Sequence, residues 1–169
     1  MTGSGLEHLE AWRLAKELAI QIYREVVPQL PADEKYNLSS QIKRAATSIP
    51  ANIAEGYGRF YYQANIQFCY NARGSLEELV SHLIIARELQ YIPAENCNET
   101  IAKCDRLGQL INGYIAYLKR TKQGEKELQG QLTVKEEPGE YIFGDVDSEA
   151  TDAFDGSRFS NLDSRLVEE

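Results

Sequence analysis

A chain of 169 residues has room for one ordinary domain with a real core, and its 43% hydrophobic and 26% charged residues are close to the soluble average. No apolar run approaches the roughly 20 residues needed to cross a bilayer. The opening Met1-Thr2-Gly3-Ser4-Gly5 has no basic stretch followed by an apolar one, so neither a membrane span nor a secretory signal is expected, and a cytoplasmic location is. The net charge of −8 is unevenly divided: residues 1–122 hold 14 Lys and Arg against 13 Asp and Glu, a net of +1, whereas residues 123–169 hold 4 against 13, a net of −9. The acidity therefore describes an appendage, and the body is close to neutral. Cys69, Cys97 and Cys104 are too few for a disulfide scaffold and cannot all pair, so they are expected as reduced thiols.

In chain order, Ala11, Ala15, Leu18, Ile22 and Val26 recur at helical spacing and predict an amphipathic helix from Leu6 to Val27, ended by Pro28 and Pro31. After the turn-like stretch from Asp33 to Asn37, a second stripe runs through Leu38, Ile42, Ala45, Ile49 and Ile53. Gly56 and Gly58 are its expected terminators, because glycine accepts the left-handed conformation that often ends a helix. The third segment, Gln63 to Gln90, carries Phe68, Ala72, Leu76, Leu79, Leu83 and Ala86, and would be about 42 Å long at 1.5 Å per residue. Pro93 leads into the fourth, Glu95 to Arg120, where Ile101, Cys104, Gly108, Ile111, Ile115 and Leu118 follow a heptad pattern.

Beside that heptad lies a second seam, Leu107, Leu110, Tyr114 and Tyr117, while Val80 and Ile84 broaden the third helix. Faces this wide suggest that the excess is buried within the bundle or against another subunit, and a homo-oligomer with this seam or the third helix at its interface is expected. Short connections between long helices predict an all-α, antiparallel up-down-up-down four-helix bundle over residues 1–122. Residues 123–169 form an acidic tail without sustained periodicity, expected to be largely disordered, with apolar islands at Tyr141-Ile142-Phe143 and from Phe154 to Leu166.

Catalytic and metal chemistry find little support. A di-iron bundle needs Glu-x-x-His on two helices, but Glu78 and His82 are four apart and His8 lies at the start of the first helix. Cys97 and Cys104 lack partners for tetrahedral ligation, and Gly56-x-Gly58 follows a helix instead of a strand, which argues against a phosphate loop. With no base placed beside a nucleophile, the chain reads as a non-enzyme without metal or cofactor.

The most unusual stretch is Ser48-Ile49-Pro50-Ala51-Asn52-Ile53-Ala54-Glu55-Gly56, because Pro50 inside a helix removes a donor and crowds the preceding turn, at about 3 kcal/mol. A kink held by Thr47, Ser48 and an Asn52–Glu55 pair is one reading, and a recognition patch of Asn52, Glu55 and Arg59 is the other. Gly74, Gly108 and Gly113, each costly within a helix, suggest close helix approach. Lys43, Arg44, Arg59 and Arg73, with Tyr57, Phe60, Tyr61, Tyr62 and Tyr70, are expected near one end of the bundle. Such a mixture suits either phosphate pairing with base stacking or a solvated rim over core aromatics.

Three motifs carry a resemblance: Leu9-Glu10-Ala11-Trp12, the run from Gln41 to Arg59, and Ala72-Arg73-Gly74-Ser75-Leu76-Glu77-Glu78-Leu79. Over about residues 6–120 the chain resembles the four-helix bundle proteins encoded in intervening sequences of bacterial large-subunit ribosomal RNA genes. The resemblance implies a homopentamer of antiparallel bundles. It also implies kinship with accessory subunits of reverse transcriptases in diversity-generating retroelements, which bind the polymerase and RNA or DNA through a basic surface. Carried onto this chain, that surface would be Lys43, Arg44, Arg59 and Arg73. The acidic tail has no counterpart in the shared motifs, which leaves a protein-only scaffold, with a tail that recruits or regulates a partner, as the alternative.

Overall fold

The computed structural model describes residues 5–122, and all four predicted helices are present in it. They are α1 (Glu10–Gln21), α2 (Leu38–Tyr57), α3 (Tyr62–Glu88) and α4 (Ala94–Thr121). There is no strand among the described residues, and none of the helices is long and apolar enough to cross a membrane. The acidic segment 123–169, with its islands around Tyr141 and Phe154, lies outside the described residues.

Side-chain pairs fix the topology. Gly56 lies against Asn65 and Phe68, and Ser48 meets Ser75, so α2 and α3 run antiparallel. The Asn65–Tyr114 hydrogen bond, the Gly108–Leu76 contact and the Cys97 thiol donating to the Leu83 carbonyl give α3 and α4 the same relation. The Lys103–Gln21 and Arg106–Glu10 contacts then close α4 back onto α1. The result is the up-down-up-down bundle that the short connections predict.

The predicted apolar stripes become the core. Leu9, Leu18, Ile22, Ile42, Ile49, Ile53, Leu79, Leu83, Leu107, Ile111 and Leu118 are all less than 2% exposed. At roughly 1.5–3 kcal/mol for each large side chain, this burial is the main favourable contribution to the fold. Asn65, also buried, is satisfied: its amide donates to the Tyr114 hydroxyl at 3.0 Å, and its oxygen accepts from the Cys69 thiol at 3.6 Å.

Helix ends depart from expectation. The first segment does not stay α-helical to Val27; it passes through a π turn at Ile22–Val26 and a 3-10 turn at Val27–Gln29. Pro28 has no N–H to continue the ladder, and the changed winding still leaves Ile22 and Val26 buried. Glu34 caps α2, its carboxylate accepting from the Leu38 N–H at 3.1 Å, and it also accepts from the Tyr91 hydroxyl at 3.3 Å. Burial and the neighbouring Glu34 charge raise the Tyr91 pKa.

Glycine does not end the helices by left-handed geometry. Gly56 lies within α2, and Gly58, with φ −74°, is right-handed. The left-handed residues are Gln90 (φ 59°) and Lys122 (φ 47°). Gln90 closes α3 with the paired bonds of a Schellman motif, Tyr91 N–H to the Ala86 carbonyl at 2.9 Å and Gln90 N–H to the Arg87 carbonyl at 2.8 Å.

What Gly56 supplies is closeness: a Cβ there would sit 2.8 Å from Asn65 Oδ1 and 2.9 Å from Phe68 Cβ. Gly74 is the opposite, with nothing within 4 Å of an added Cβ, and Gly108 would meet only Leu76 at an ordinary 3.6 Å. Close approach thus explains Gly56 and does not explain Gly74. Gly56→Ala should destabilise the protein by about 1–3 kcal/mol through overpacking, whereas Gly74→Ala should stabilise it by up to about 1 kcal/mol through helix propensity. Chemical denaturation of the two variants checks the opposite signs.

All three cysteines are free thiols in the core, and burial pushes Cys69 and Cys104 up to about 12 from an ordinary 9.0. An unfolded chain releases these protons above pH 9, while the folded one retains them to about pH 12. Stability intact below pH 9 should therefore fall as pH rises through that window. Denaturant midpoints measured at about pH 8 and about pH 10 should show the loss, and Cys69→Ala should make it shallower.

Candidate functional site

The two longest motifs meet on the α2–α3 face. Ser48 Oγ lies 2.9 Å from Ser75 Oγ, and the Asn52 amide donates to the Ser48 carbonyl at 2.9 Å and to its hydroxyl at 3.0 Å. Thr47 donates to the Lys43 carbonyl at 2.9 Å, so the turn preceding Pro50 is braced by hydroxyls, as its composition suggests. The expected Asn52–Glu55 pair is corrected: Asn52 turns back to Ser48, and Glu55 pairs with Arg59 on the next turn. Both arrangements put partners one turn apart, and the one observed joins opposite charges.

One and a half turns before Pro50, Arg44 donates to Gln41 Oε1 at 3.0 and 3.2 Å and forms an ion pair with Glu78 of α3. The same Glu78 oxygen is 3.7 Å from His82 Nε2, and both His82 ring nitrogens are buried without a hydrogen-bond partner. Sequence reasoning weighed Glu78 and His82 only as metal ligands. Among the described residues, no group of three His, Cys, Asp or Glu side chains is placed to hold a metal ion.

The four cations singled out from sequence do not share one end. Lys43 and Arg44 lie 16 and 15 residues before Arg59, about 24 and 22 Å away along the helical rise. Arg59 sits in the α2–α3 turn, paired with Glu55, with its guanidinium 5.0 Å from the Phe68 ring centre. Beside it in sequence, Phe60 and Tyr61 form an edge-to-face pair at 5.2 Å, and both remain about half exposed. Tyr57 and Tyr62 are more buried.

Arg73 belongs to a different surface, where α3 meets the end of α4. Its guanidinium lies 5.8 Å from the Tyr70 ring centre, and Lys119 Nζ lies 6.0 Å from the same ring. Tyr70 is 40% exposed. Among the described residues, neither Arg73 nor Lys119 has a carboxylate within ion-pair distance, in contrast to Arg44 and Arg59. Lys119 escaped the sequence reading. It is one of two basic residues in the last turn of α4, a favourable place against the helix dipole, and only the α3–α4 register brings it to Tyr70.

Of the two readings of the α4 seam, burial within the bundle describes most of it. Leu107 (0%), Leu110 (7%) and Tyr114 (3%) are buried inside the single chain, and only Tyr117 is partly exposed, stacked on Tyr114 at 6.4 Å. The broad apolar face of α4 serves two neighbours within one bundle, α1 on one side and α3 on the other. The seam therefore offers no free apolar surface to a second subunit.

The family model for the 23S rRNA-intervening sequence protein matches residues 7–113. Among solved structures, the chain is similar to a protein of unknown function from the S23 ribosomal protein family of Bacteroides thetaiotaomicron. The TM-score is 0.58 at 24% identity, covering 62% of this chain and 97% of that one. At that identity the likeness speaks for the fold. No curated protein matches significantly.

Proposed function

The chain belongs to the 23S rRNA-intervening sequence protein family, and from that membership we propose that it is a non-enzymatic helical bundle that binds RNA. The observation that carries the reading is the positive charge of Arg73 and Lys119, unpaired with any carboxylate among the described residues and held on two helices against the exposed ring of Tyr70. Arg44 and Arg59, already neutralised by Glu78 and Glu55, are weaker candidates for phosphate contact, and Lys43 lies apart on α2. The near-neutral body suits a local contact better than wrapping by a basic surface. A place beside a reverse transcriptase, as an accessory subunit that holds RNA without acting on it, is the finer form of the same proposal.

Self-association is part of the reading. With the α4 seam buried, the surface that favours it is on α3, where Ile85 and Leu89, one turn apart, are 44% and 51% exposed. A pentamer would repeat the Arg73–Lys119 surface five times and raise avidity without any new contact.

Binding of a structured RNA by the full chain should weaken linearly with the logarithm of salt concentration, as phosphate contacts require. Absence of binding at low salt, or binding indifferent to salt, overturns the RNA reading. Light scattering should return a multiple of the 19.1 kDa chain mass, fivefold for a pentamer, and the mass of one chain overturns self-association.

A further inference from the structure

Tyr70 is held in place while its ring stays accessible. It sits on the outer side of α3, 40% exposed, with Arg73 one turn away on its own helix and Lys119 reaching across from α4. Cations near an aromatic ring are attracted by its quadrupole, and here that attraction holds two long side chains beside the ring without neutralising either. A carboxylate partner would have made the cluster a closed ion pair, and the cluster has none among the described residues. Both cations lie over the ring, 5.8 and 6.0 Å from its centre, and a base that stacks there displaces one of them toward its own phosphate. The complementary ligand is a flat π face flanked by negative charges, and a nucleotide with an unpaired base meets that description.

We propose that this surface binds single-stranded RNA, one base stacking at Tyr70 while adjoining phosphates take Arg73 and Lys119. The proposal rests on the RNA-binding reading above and adds that the strand must be unpaired. In an A-form duplex the base faces are hidden, and duplex binders contact hydroxyls and phosphates across two successive minor grooves. Arg73 and Lys119 converge on one ring instead of spreading along such a span.

The test is fluorescence anisotropy of the full 169-residue chain with a labelled RNA of roughly a dozen nucleotides, offered as a single strand and as a blunt duplex. The single strand should bind more tightly. Tyr70→Ala should weaken it roughly tenfold and leave duplex binding unchanged, while Tyr70→Phe retains the affinity. Arg73→Gln and Lys119→Gln should each lower the salt slope of single-strand binding by about 0.7. If the wild type binds neither RNA, the proposal and the reading beneath it both fall. Should the wild type bind RNA with Tyr70→Ala indistinguishable from it, or prefer the duplex, the single-strand surface falls and the RNA reading stands. Circular dichroism verifies that Tyr70→Ala folds. If it does not, the two glutamine variants decide, and unchanged slopes overturn the proposal.

Discussion

The approach of α2 to α3 at Gly56 is the constraint on which the rest of the arrangement depends. A side chain there would be crowded, because a Cβ would enter the space of Asn65 and Phe68, so α3 packs directly against the α2 backbone at this point. Two helices joined by a short turn and pinned near that turn can run only antiparallel and in one register. The register then sets Ser48 opposite Ser75 and Arg44 opposite Glu78, two and three turns further along. It also places Asn65 where its amide reaches Tyr114, so the position of α3 is passed on to α4. Lys119 arrives at Tyr70 as the last consequence of this chain of contacts.

Charge is distributed differently on the two faces of α3. Toward α2, Arg44 and Arg59 meet carboxylates on the surface, where an ion pair contributes little stability and mainly selects side-chain geometry. Toward α4, Arg73 and Lys119 meet an aromatic ring instead, which orients them, and no carboxylate among the described residues pairs with either. A near-neutral body can therefore carry a local positive site. Net charge is a sum over a surface, and a ligand meets only the part it touches.

The residues that make the sequence distinctive are largely spent on structure. Ser48, Asn52, Gly56, Ser75 and Glu78 all act in pairing α2 with α3 or in bracing the helix around Pro50. They serve the fold, and a fold does not by itself fix a function. Of the groups that suggest a binding role, Tyr70 and Lys119 stand outside the longest motif runs and Arg73 lies within one. Gly74 is the exception, a motif residue whose cost within a helix nothing in the single chain offsets.

The sequence by itself determined four helices, the boundaries of α2, α3 and α4 to within a few residues, their antiparallel order and most of the core, because the spacing of Leu, Ile, Val and Ala records which side of each helix avoids water. Composition alone also marked where the acidity lies. Tertiary structure decided what those patterns could not carry. The broad face of α4 looked like a surplus until its second neighbour was in view, since periodicity reports that a face is buried and never against what. Four cations that look alike in sequence separated into two neutralised, one apart on α2, and one left charged beside an aromatic ring, because the partner of a charge is set by the helix across from it. Lys119 joined them for the same reason: a contact between residues 49 positions apart exists only once the helices have packed.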